Sequence, residues 1–172
     1  MENHYGMKAI DASNWLAPDP TVSGLAEVGQ DGQFRVLTGE DWVNVITRPQ
    51  LASAVPEDIR KLFEVARGCL VYGYYFYPLY TLGQEQLLRI VETAVMQKCE
   101  LLGVRSRIRT FQNGVDYLIK QGVIDRSERN VWNAMVKLRN DGAHPSEQMI
   151  LPPGLAIAAL KNISDDINKL FL

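Results

Sequence analysis

The sequence predicts an all-α protein, a bundle of four to five helices preceded by an irregular N-terminal arm. Three observations predict it. From about Pro56 to Phe171, apolar residues recur at intervals of three and four, the period of a helix with one buried side. Starts and stops punctuate the same stretch, with Pro56 and Pro152-Pro153 at beginnings and Pro78, Gly122 and Gly142 at ends. Residues 1–37 show little periodicity, and only Phe34-Arg35-Val36-Leu37 is apolar enough for a short strand. A chain of 172 residues is long enough for one domain, read here as an arm (1–50) and a bundle (51–172).

The elements follow in order. Pro18, Pro20, Gly24, Gly29 and Gly32 break up the start of the arm. Thr38 and Asp41 then have the spacing of a capping box, and Trp42, Val45 and Ile46 share one helical face, so a short helix is expected to stop before Pro49. The arm reads as a cover for the bundle, with a lid over a site as the alternative.

Pro56, Glu57 and Asp58 open the first long helix, because Pro suits the first turn and acids suit the positive end of the helix dipole. Ile59, Leu62, Phe63, Ala66 and Leu70 form its buried stripe, and it is expected to run to about Tyr77. A second helix is expected from about Gly83 to Leu102, with Leu87, Leu88, Val91, Val95 and Leu102 inward, antiparallel to the first. A third spans about Ser106 to Gln121, burying Ile108, Phe111, Val115, Leu118 and Ile119. Asp125 and Glu128 read as the capping pair of a fourth, which buries Trp132, Met135 and Val136 and carries Arg139 on its last turn. The fifth has the clearest pattern: Ala156, Ala159, Leu160, Ile163, Ile167, Leu170 and Phe171.

Charge is unevenly placed. The net value of −2 argues against a dedicated electrostatic binder of nucleic acid. Residues 1–50 hold seven acids against three bases, whereas residues 104–144 hold eight bases against four acids. The second segment is compatible with a polyanionic ligand, or with nothing more than a solvated helix face. Cys69 and Cys99 lack framework spacing, which points to a reducing compartment. The N-terminal residues lack the pattern of a signal peptide, and the longest uncharged run, Gly68 to Gln84, is too short for a membrane span of ~20 residues. A cytoplasmic protein with no membrane partner is therefore expected. His4, His144, Cys69 and Cys99 are too scattered for metal-ligand spacing, and no phosphate-binding Gly-rich loop or nucleophile elbow occurs, so no metal or cofactor is expected.

The chemistry concentrates in Lys137-Leu138-Arg139-Asn140-Asp141-Gly142-Ala143-His144-Pro145. It holds one of the two histidines, five residues after an arginine and just past a helix end. Cleaving a phosphodiester requires a proton to be moved from the attacking hydroxyl to the leaving oxygen, a task suited to His, which titrates near neutrality. It also requires the extra negative charge to be met, a task suited to the planar, permanently charged fork of Arg.

Arg139-Asn140-Asp141-Gly142-Ala143-His144, at the end of a helix in an all-helical chain, resembles the Arg-x4-His motif of the HEPN superfamily, with the polar Asn140 directly after the Arg as in that pattern. The resemblance covers about Pro56 to Phe171 and leaves residues 1–50 out. It implies a HEPN-like bundle, and a metal-independent endoribonuclease in which Arg139 and His144 are catalytic. Asn140 would support them on a phosphate oxygen or on His144, and Glu92, on the second helix, would orient Arg139. It also implies RNA as the substrate, a homodimer whose two subunits line one cleft, and work in bacterial defence or a toxin–antitoxin system with an antitoxin or other regulatory protein as partner.

Plainer readings stand beside these. His144 can be a surface or capping residue, Arg139 a cation placed at a helix C-terminus, Asn140 a cap and Glu92 an exposed helix acid. The aromatic block Tyr72, Tyr74, Tyr75, Phe76, Tyr77 and Tyr80 reads first as core or dimer packing and second as a surface for stacking bases. Two other functions follow from the plainer readings: a non-catalytic HEPN-like module that binds RNA or protein, or a helical oligomerisation protein.

Overall fold

In the computed structural model, which describes residues 8–22, 24–28, 32–104, 107–142 and 151–172, apolar stripes become helices and the helices gather around one of their number. A small antiparallel hairpin comes first, β1 (Ala26–Val28) and β2 (Phe34–Val36), with Ala26 opposite Val36 and Val28 opposite Phe34. Six α-helices follow among the described residues: α1 (Gly39–Thr47), α2 (Glu57–Tyr72), α3 (Leu79–Leu101), α4 (Phe111–Lys120), α5 (Arg129–Gly142) and α6 (Pro153–Phe171). The expected all-α bundle is present, with five helices after residue 50. No helix among the described residues is long and apolar enough to cross a membrane.

The central helix is α3, which packs against α2, α4, α5 and α6. Its inward residues therefore exceed the single expected stripe. Leu87, Leu88, Val91 and Val95 are buried as anticipated, and Ile90, Ala94 and Cys99 join them from other sides of the helix. Each fully buried Leu, Ile or Val contributes roughly 1.5–3 kcal/mol relative to exposure, so this helix supplies much of the apolar stabilisation. Leu102 departs from expectation: it is 42% exposed, because α3 has ended at Leu101 and the chain turns through Gly103 at φ 74°.

The join between α2 and α3 also differs from the sequence reading. α2 stops at Tyr72, not near Tyr77, and α3 starts at Leu79, not Gly83. The reason is the arm. Asp19, fully buried, donates its N–H to the Tyr74 carbonyl (2.9 Å) and accepts the Tyr77 N–H on Oδ2 (2.9 Å), so the Tyr74 carbonyl and the Tyr77 N–H bond to the arm, while the N–H groups of Tyr74, Tyr75 and Phe76 close local turns onto Val71 and Tyr72. Lys8 Nζ donates to the Tyr75 carbonyl in the same turn. Gly83 lies inside α3 at its crossing with α2, where a methyl would come within 2.6 Å of Leu70 Cδ2. The aromatic block divides accordingly: Tyr77 and Tyr80 are core, whereas Tyr72 is exposed.

α1 has the capping box read from the sequence. Asp41 N–H donates to Thr38 Oγ1 (3.2 Å), and Thr38 N–H donates to Asp41 Oδ2 (2.9 Å). Trp42 and Ile46 are buried, and the Trp42 indole N–H donates to the Leu70 carbonyl (2.9 Å), which docks α1 on α2. The expected strand at Phe34 forms, but its side chains Phe34 and Val36 are exposed.

Three boundaries move in the second half. α4 begins at Phe111, capped by Thr110 Oγ1, which accepts from Asn113 N–H; the expected start, Ser106, lies outside the described residues. Its end is as expected, with Gly122 at φ 74°, a conformation that disfavours a side chain. Asp125 caps not an α-helix but a 3₁₀ turn, Arg126–Glu128, by accepting the Ser127 N–H (2.7 Å), while Glu128 pairs with Lys169 of α6 (2.7 Å). α5 then runs to Gly142, three residues beyond Arg139, and buries Trp132, Met135 and Val136.

Candidate functional site

Arg139 stands on the last turn of α5, facing the middle of α3. Its Nε–H donates to Glu92 Oε2 at 2.6 Å, across 47 residues of sequence. The two side chains are 34% and 26% exposed, so the pair is neither a solvated surface bridge nor a dry one. Its worth falls between the roughly 0.2–1 kcal/mol of exposed pairs and the roughly 3–5 kcal/mol lost when a buried pair is broken. That is enough to fix the orientation of one guanidinium. Holding the fork by Nε leaves its far edge, Nη1 and Nη2, without a hydrogen-bond partner among the described residues.

That arginine lines an open cavity of about 330 Å³ between the two helices. α3 contributes Glu85, Leu88, Arg89, Glu92 and Thr93, spaced 3, 1, 3, 1 and therefore on one helical face. α5 contributes Leu138, Arg139 and Gly142. Two guanidiniums and two carboxylates thus share a depression with apolar flanks. Such a set can bind an anion through the Arg forks and accept a hydrogen bond through Glu85.

Of the four residues picked from the sequence, the structure joins two, Arg139 and Glu92. Asn140 is exposed and does not line the cavity, being two residues and therefore about 200° round the helix from Leu138, which does. His144 lies outside the described residues. Sequence reasoning missed Glu85, Arg89 and Thr93. Their spacing to Glu92 was readable, but which face of α3 meets α5 was not.

No protein-family model, curated protein or solved structure matches the chain.

Proposed function

We propose that the protein is a metal-independent endoribonuclease of HEPN type, acting in the cytoplasm on RNA. The observation that carries this reading is the placement of Arg139: held by Glu92 through one edge, at the rim of a cavity, five residues before the histidine of the motif. His144 takes the proton of the RNA 2′-hydroxyl as its oxygen attacks the adjacent phosphorus. The bond from phosphorus to the 5′-oxygen breaks, a proton passes to that oxygen, and the products are a 2′,3′-cyclic phosphate and a 5′-hydroxyl. Arg139 meets the charge that builds on the phosphoryl oxygens, and Asn140 steadies a phosphate oxygen or His144.

One chain brings one such His, and the base and the acid are two roles. A homodimer with its two-fold axis through the cleft supplies both from identical parts. A defence or toxin–antitoxin setting, with an antitoxin or another regulatory protein restraining the nuclease, belongs to the same proposal.

The test is incubation of wild type and His144→Ala with mixed RNA in EDTA, followed by analysis of the 3′ ends. Removing a positioned acid–base group typically lowers the rate roughly 10²–10⁴-fold, so cleavage to cyclic phosphate is expected from wild type only. Equal cleavage by both proteins would remove His144 from the mechanism. The Glu92–Arg139 pair also favours a second reading, a non-catalytic HEPN-like module that binds RNA or a protein, in which the pair only ties α3 to α5. That reading predicts binding without product and a His144→Ala change that alters stability more than function.

A further inference from the structure

The charges around Arg139 do not by themselves favour a phosphate. Glu92 offsets Arg139, and Glu85 lines the same cavity. The C-terminal end of α5 adds the equivalent of roughly half a negative charge. With Arg139 as its only cation, the cavity would repel the ligand that the proposed reaction requires.

Arg89 balances the charge of Glu85 and gives the cavity a second cation. It sits one turn before Glu92 on the cavity face of α3 and is exposed, and its guanidinium has no ion pair or hydrogen bond among the described residues. Arg139 is fixed by Glu92; Arg89 is free to follow a ligand. A planar guanidinium with five donors, none of them bonded to a carboxylate among the described residues, is suited to the oxygens of a phosphodiester.

We propose that Arg89 is the second phosphate contact of this site, holding a backbone phosphate of single-stranded RNA next to the one that Arg139 faces. This rests on the ribonuclease reading above. Arg139 meets charge at the phosphorus that reacts, and Arg89 positions the strand so that this phosphorus arrives there. The cavity, with its Glu85 end left negative, then admits the strand in one orientation, phosphates toward Arg89 and base donors toward Glu85.

Each phosphate neutralised on a single strand contributes roughly 0.7 to the slope of log affinity against log salt, a quantity that a purely structural residue leaves unchanged. The probe is a fluorescein-labelled, 2′-O-methylated single-stranded RNA of mixed sequence, which binds but lacks the attacking hydroxyl. Anisotropy titrations across a salt series compare wild type, Arg89→Gln, Arg89→Lys and Arg126→Gln, the last an exposed cation at the opposite end of α5. Arg89→Gln is expected to bind several-fold more weakly at low salt and to lose about 0.7 from the slope, with an unchanged melting temperature. Arg89→Lys should keep the slope, and Arg126→Gln should match wild type. If Arg89→Gln matches wild type, or if Arg126→Gln loses as much, Arg89 is not a specific contact while the RNA reading stands. If wild type binds no RNA and cleaves none, the RNA reading itself falls and Arg89 with it.

Discussion

At the residue scale, Glu92 is the most informative position. It sits in Ile90-Val91-Glu92-Thr93-Ala94-Val95, a run whose apolar members are buried against several helices. An acid there needs a cation, and Arg139 supplies it. Glu92→Gln keeps shape and hydrogen-bonding capacity but removes the charge that fixes the fork. The expected outcome is a melting temperature within a few degrees of wild type, since the partly exposed pair is worth about 1 kcal/mol, together with a loss of at least tenfold in the RNA cleavage proposed above. Unchanged cleavage would make the pair a structural tie only.

Asp41 gives a second test at this scale. The Thr38 hydroxyl and amide donate to its carboxylate and the Arg35 guanidinium lies beside it, which together hold its pKa down at about 2. The sign follows from linkage: a folded value below the ordinary ~3.9 stabilises above that pH and ceases to do so as pH falls through the folded value. The cap of α1 should therefore be intact above about pH 4 and loosen towards pH 2. A carboxyl titration of Asp41 by NMR should show a midpoint near 2. An ordinary midpoint would mean that the capping box does not persist in solution.

At the element scale, two glycines in neighbouring helices make opposite predictions. Gly68, within α2, has nothing within 4 Å of where a methyl would go. Gly68→Ala should stabilise by roughly 0.5–1 kcal/mol through helix propensity alone. Gly83, within α3, has Leu70 Cδ2 at 2.6 Å and the Ala66 carbonyl at 3.4 Å from that point. The same propensity gain is outweighed there by an overpacking cost of roughly 1–3 kcal/mol, so Gly83→Ala should destabilise. Thermal melts decide both, at roughly 2–4 °C per kcal/mol for a chain of this size. In the sequence, Gly83 reads as a helix boundary; in the structure it is where two helix backbones approach.

At the scale of the whole molecule, residues from the arm are built into the packing of the bundle. Val22, Trp42 and Ile46 belong to the same buried cluster as Leu70, Leu87 and Leu160, and Asp19 shapes the α2–α3 turn. Trp42→Ala empties a fully buried site against α2 and removes a hydrogen bond to Leu70, a loss of roughly 3–5 kcal/mol for an aromatic of this kind. Denaturant unfolding followed by both circular dichroism and fluorescence should shift to a lower midpoint while the two probes still coincide. If α1 were released ahead of the bundle, the probes would separate.

By itself the sequence determined the helices, most of their buried faces, the cap of α1 and the stop at Gly122. Those signals act within three or four residues, over which capping bonds and side-chain spacing decide the outcome. Only the tertiary structure decided where α2 ends, because Asp19 binds that turn from more than fifty residues away. It alone decided that α3 is buried on several sides, and that Arg89, Glu92 and Arg139 share one cavity. A helix's residues reveal that it has a face; only its packing reveals what that face meets.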